Sequence, residues 1–227
     1  MRDPHKIAYK KRPISAKKGD QPVFQHASDV RSFVRLYPVV AALLLVHIAA
    51  WLLFSLSLTA LEPIWQYAVG TNGAIRHGEC WRLVSPIVLH RDFHHMAANS
   101  LSLWLFGPWL ERALGKRKFL FLYIGGGIGA NVATLFLLPP LYTHVGASGA
   151  IFALFGMYSY LALFRRDLVA PRHAQLLLSV MAVHLLLGIM TPDGNLLAHL
   201  FGFAVGGLLA PFLSIRPKRP SFYMPRL

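Results

Sequence analysis

Residues 37–61 read YPVVAALLLVHIAAWLLFSLSLTAL, an apolar run between Arg35 and Glu62. A helix needs roughly 20 apolar residues to cross the hydrocarbon core of a bilayer. The run therefore predicts a membrane span over Tyr37–Leu61. Five more segments of this kind follow, at about His94–Leu114, Phe119–Leu138, Ser148–Phe164, His173–Met190 and Leu196–Ile215. The fourth and fifth are near the short limit, but charged or Pro-Gly breakers bound them and they sit in a run of similar segments. The first begins too far into the chain, and is too long, for a cleaved signal peptide.

Composition agrees with a membrane protein. The 227 residues are 55% hydrophobic and 14% charged, with a formal net charge of +14. A soluble domain carries roughly a quarter of its residues as Asp, Glu, Lys and Arg, and so little polar surface could not cover a core of this size. Intrinsic disorder requires low hydrophobicity and is excluded. The single cysteine, Cys80, excludes an intramolecular disulfide framework and a thiolate-rich metal cluster.

A basic excess often points to nucleic acid, but here it sorts by loop. The segments on one side of the six spans hold 20 Lys and Arg and 5 acidic residues, against 3 and 4 on the other, or +15 against −1. This is the positive-inside asymmetry, and it places both termini in the cytoplasm. Attraction to anionic lipid headgroups accounts for the charge, and no aromatic-interleaved basic stripe supports nucleic-acid binding. The domain reading is a basic, disordered cytoplasmic tail over 1–36, a six-span membrane domain over 37–215, and a short basic cytoplasmic tail over 216–227.

Polar groups inside a membrane are expensive and suggest function by default. The second span opens His90-Arg-Asp-Phe-His94-His95-Met-Ala-Ala-Asn99, which puts His95 and Asn99 one turn apart on one helix face. The fourth opens Gly146-Ala-Ser148-Gly149, and the sixth opens Ala198-His199-Leu-Phe-Gly202 with Gly206 following. Even-numbered spans enter from the outer face, so the three sets share one depth. The available chemistry is nucleophilic: Ser148 is inert until an imidazole takes its proton, and His199 is the candidate base. Gly149, Gly202 and Gly206 provide small-residue spacing for close helix approach. The Ser148 N–H, at a helix start, is a donor suited to an oxyanion, and His95 and Asn99 could add two more. No carboxylate lies in the outer half of these spans to orient His199, which argues for a Ser–His dyad, with Phe152 placed to stack on the imidazole.

These motifs resemble those of the rhomboid intramembrane serine proteases, from about Glu79 to Gly207. The resemblance rests on Trp81-Arg82, on His90 with His95 and Asn99, and on Gly107, Glu111 and Gly115. Gly146-Ala147-Ser148-Gly149 and His199 with Gly202 and Gly206 complete it, with Phe152 where the family often has Tyr. It implies an all-α six-span bundle that hydrolyses peptide bonds in or beside transmembrane helices of protein substrates, without cofactor or metal. Ser148 would be the nucleophile, His199 the base and then acid, and the Ser148 N–H, His95 and Asn99 the oxyanion hole. Trp81 and Arg82 would belong to a structural element in the first loop. The fifth span and the loop around Thr191–Leu197 would move to admit substrate. A bare six-span core points to a bacterial inner membrane.

Each residue also has a plainer role. Ser148 could be a helix cap, His199 and Asn99 interhelical hydrogen-bonding groups, and His90 a tie between the first loop and its helix. His94 points about 100° from His95, and His47 and His184 read as packing or interfacial residues. His144 has no assigned role, and Glu111 reads as a structural hydrogen-bonding group. Two other functions compete. A non-cleaving rhomboid-like binder is disfavoured because Ser and His are both present. A metal transporter or metalloprotease is disfavoured because no His-Glu-x-x-His set occurs.

Overall fold

The computed structural model describes residues 29–56, 59–165, 168–169, 171–190 and 195–213. Its elements in order are α1 (Val30–Leu36), α2 (Pro38–Ser55), α3 (Glu62–Ala68), β1 (Gly70–Thr71), α4 (Asn72–Arg76), α5 (Phe93–Leu114), α6 (Lys116–Leu137), β2 (Thr143–His144), α7 (Ser148–Phe164), α8 (Pro171–Met190) and α9 (Leu196–Leu213). Each of the six expected spans contains one long helix. Three of them (α2, α6 and α9) are long and apolar enough to cross a membrane by length and composition; α7 and the stretch Ala174–Leu186 of α8 are shorter apolar helices.

The first span is shorter than expected. Its helix ends at Ser55, and Thr59–Leu61 form a separate 3₁₀ turn. The apolar run continues, but Ser55 turns its hydroxyl back onto the Leu52 carbonyl, a local bond that competes with helix propagation. At the other end, α1 occupies the last part of the expected tail, started by the Asp29 side chain, which accepts from the Ser32 N–H at 2.7 Å. Residues 1–28 and 214–227 lie outside the described residues, as do Thr191–Gly194 of the expected capping loop.

Local chemistry sets the other helix ends. Asp92 caps α5 by accepting from His95 N–H at 2.9 Å. Gly115, at φ 82°, breaks α5 from α6 in a conformation that favours glycine. Pro38 opens α2, leaving its first N–H groups without helical partners. Glu111 on α5 supplies them, with its carboxylate accepting from Val39 N–H at 3.0 Å and Val40 N–H at 2.9 Å. At the same end of the bundle, the Lys118 ammonium donates to the terminal Leu213 carbonyl of α9 at 3.0 Å.

The core is the trio α6, α7 and α9, with α2 paired to α5, and α8 resting more loosely on α7 and α9. Helix α7 is buried on nearly every side from Gly149 to Tyr158. Its approach to α9 is backbone against backbone: a Cβ at Gly202 would collide with the Gly149 carbonyl, one at Gly206 with the Ala153 carbonyl, and one at Gly156 with the Phe203 carbonyl. Such contact lets dispersion and carbonyl interactions act where no hydrophobic drive exists between helices in lipid.

The loop between α2 and α5 folds into a pinned structure. Arg82 is buried, pairs with Glu79 at 2.6 Å, and donates to the carbonyls of Gln66 and Val69, both at 2.6 Å. Trp81 stacks on Tyr67 at 4.7 Å and donates its indole N–H to the Tyr67 carbonyl. Antiparallel pairing of Gly70 with His144 and Thr71 with Thr143 ties this loop to the α6–α7 connection. Asn72 strengthens the tie through its Nδ2, which donates to the carbonyls of Thr134, Leu138 and Pro139.

Candidate active site

Ser148 is the first residue of α7, so its N–H is one of the four at a helix start that find no acceptor within the helix. The loop leading into it is fixed by Gly146, whose N–H donates to the Pro86 carbonyl at 2.9 Å and whose φ is 128°. A side chain at Gly146 would be strained on both counts, because an added Cβ would also sit 2.5 Å from His95 Cε1. The His95 ring therefore lies against the backbone two residues before Ser148.

One turn after Ser148, Phe152 lies flat on His199, with ring centroids 4.3 Å apart and planes 4° from parallel. His199 is the fourth residue of α9 and is buried, and its Nδ1 has no hydrogen-bond partner among the described residues. From the α8 side, an added Cβ at Gly188 would lie 3.0 Å from His199 Cε1. Asn195 caps α9 by accepting from Ala198 N–H at 2.9 Å, and it is itself anchored by donating to Thr134 Oγ1 at 2.9 Å. This cap holds the turn that carries His199. An Asn just before an apolar run is an N-cap signal, so Asn195 could have been found from sequence.

Asn99 is buried one turn below His95 and donates one Nδ2 hydrogen to the His95 carbonyl at 3.0 Å. The second amide hydrogen remains a possible donor. Polar groups from the starts of α5, α7 and α9 thus converge on one end of the bundle. His94 does not join them: its side chain is 95% exposed. Trp81 and Arg82 lie in the loop between α2 and α5, where they pin the segment that presents Pro86 to Gly146. His184 on α8 sits at the margin, 6.2 Å from Phe152 by ring centroid and 3.5 Å from Ser102 Oγ.

Two loop histidines are buried against their own titration. Burial, followed by the neighbouring His47 and His95 imidazoles, lowers His90 from 6.5 to about 2. Burial alone lowers His144 to about 4. Both are neutral near pH 7. No group of three or more His, Cys, Asp or Glu that could hold a metal ion occurs among the described residues.

The Rhomboid domain model matches residues 77–216, well over half of the chain. The chain belongs to the rhomboid family. YdcA of Bacillus subtilis (strain 168) is 42% identical over 197 residues, covering 86% of this chain and 98% of YdcA. The rhomboid protease GluP of the same organism is 33% identical over 164 residues, which is 72% of this chain and 32% of GluP. RHOMBOID-like protein 1 of Arabidopsis thaliana is 35% identical over 157 residues, 66% of this chain and 39% of that protein. This rhomboid chain thus matches one relative nearly end to end and spans about a third of GluP. The match 77–216 takes in every residue of the converging site, whereas α1, α2 and α3 lie before it.

Proposed function

We propose that the protein is an intramembrane serine endopeptidase, cutting membrane-protein substrates in or beside their transmembrane helices. The observation that carries this reading is the flat stacking of His199 on Phe152, one helical turn from Ser148, in a chain of the rhomboid family. Stacking fixes the imidazole plane against the first turns of α7. In this mechanism His199 takes the Ser148 hydroxyl proton as the oxygen attacks the scissile carbonyl, then returns it to the leaving amine. The developing oxyanion accepts from the Ser148 N–H, the His95 ring and the free Asn99 amide hydrogen. Among the described residues no carboxylate partners Nδ1, and orientation of the base comes from Phe152. That makes the centre a dyad.

The topology that serves this chemistry has six spans with both termini in the cytoplasm, in a bacterial inner membrane. The reacting end of α5, α7 and α9 then opens toward the outer face. Substrate helices must unwind locally before cleavage, because a helix hides its carbonyls in its own hydrogen bonds. The loosely packed α8 is the element whose movement would admit them. The test is cleavage of a panel of single-span substrates by the full chain in liposomes. Ser148→Ala and His199→Ala are each expected to abolish cleavage, by at least about 10³-fold, with no effect of chelators. Undiminished cleavage by Ser148→Ala would sink the reading.

A further inference from the structure

His47 stands in the middle of α2, in a helix built between Pro38 and Ser55 otherwise of Val, Ala, Leu, Ile, Trp and Phe, and before the segment matched by the family domain. It is fully buried. An imidazole in such a place is costly unless both ring nitrogens are met. They are: Nε2 lies 3.0 Å from the Tyr123 hydroxyl of α6, and Nδ1 lies 3.5 Å from Ser100 Oγ of α5. One nitrogen of a neutral ring donates and the other accepts, and both hydroxyls can serve in either sense. The ring is therefore fixed between three helices.

Its free edge is not idle. His47 meets His90 edge to face at 4.8 Å, and His90 meets His95 edge to face at 5.3 Å. Three imidazoles form a column from the bundle core to the group that lies against Gly146. His90 also borders a cavity of about 520 Å³, lined as well by Trp51, Trp65, Glu62 and Arg91. The cavity interrupts the close packing that could hold His90 in register. His47 is a ring that packs on it.

We infer that His47 is a positioning residue for the oxyanion site, holding His95 in place through His90 while itself anchored by Tyr123. This rests on the reading of His95 as an oxyanion donor. Misplacing such a donor by a fraction of an ångström weakens its interaction with the tetrahedral intermediate more than with bound substrate. The signature is a fall in kcat with KM preserved.

The experiment uses the full chain in liposomes. His47→Ala is expected to lower kcat on the order of tenfold with KM unchanged within about twofold. It should weaken a peptide-aldehyde inhibitor, whose adduct places an oxyanion in the site, by the same factor. Tyr123→Phe keeps the ring and the packing while freeing His47, and is expected to lower kcat about threefold; it serves also where His47→Ala fails to fold. Neither substitution should add to the loss caused by His95→Ala, because both act through that residue. Full kcat in both variants, or losses that multiply with His95→Ala, would overturn the inference while leaving the dyad intact. Cleavage surviving in Ser148→Ala would instead overturn the underlying reading, and the inference with it.

Discussion

Gly202 has no side chain because there is no room for one: an added methyl would overlap the Gly149 carbonyl. The backbones of α7 and α9 are already in contact there, so neither can yield without shifting Ser148 or His199 along with it. Gly202→Ala is expected to destabilise the fold by ~3 kcal/mol and to remove most cleavage, read by thermal melting and by substrate turnover. His144 is a residue of a different kind. An unfolded histidine takes up its proton near 6.5, whereas buried His144 does so only near 4. Between those values the unfolded chain binds the extra proton, so stability falls as pH drops through that window and is insensitive to this group above it. His90 is lowered further and acts in the same sense. Acidification from pH 7 to 4.5 should therefore lower the melting temperature. His144→Phe should flatten that slope without abolishing it.

At the scale of elements, the most consequential contact is the capping of one helix by the side chain of another. Glu111 of α5 takes two N–H groups at the start of α2, a bond pattern that local sequence cannot supply because Pro38 and its neighbours carry no capping side chain. Glu111→Ala would leave both donors without an acceptor in an apolar setting, at a cost of ~3 kcal/mol. The expected result is a lower melting temperature together with easier proteolysis near Tyr37. Glu111→Gln, which keeps one acceptor, should lose roughly half as much. The α9 cap by Asn195 is weaker in energy but closer to the chemistry. Its loss would let the turn bearing His199 fray, which sequence patterning treats only as a helix start.

For the whole molecule, the charge asymmetry makes a prediction about sidedness. Cys80 is the chain's one cysteine, and it is exposed in the loop between α2 and α5. In the proposed orientation, with both termini cytoplasmic, a membrane-impermeant maleimide should label Cys80 in intact cells. In a Cys80→Ala background, a cysteine introduced by Ser221→Cys in the C-terminal tail should be labelled only after permeabilisation. Labelling of the tail in intact cells would contradict the proposed orientation. The six long helices were legible in the chain because breakers bound each apolar run, although only α2, α6 and α9 are long and apolar enough to cross a membrane by length and composition. The stop of α2 at Ser55 was not, because the apolar run continues past it and a local side-chain bond to the Leu52 carbonyl accompanies the stop. Of the site, Ser148, His199, His95 and Asn99 stand out in sequence as polar residues recurring at the starts of alternate spans. Read from sequence, His47 is a lone polar residue in an apolar helix, and only its neighbours across space give it a role.

The membrane class and the family were readable from the amino acids alone. These follow from composition, run length and short motifs, all of which are local along the chain. Which polar groups meet came from the folding of the chain: Phe152 lies flat on His199, His95 abuts Gly146, Glu111 caps α2, and His47 packs on His90. Each of these joins residues far apart in sequence. Their contact depends on how closely glycine-faced helices approach and on how each helix is rotated about its axis, and no periodicity in a single segment specifies either.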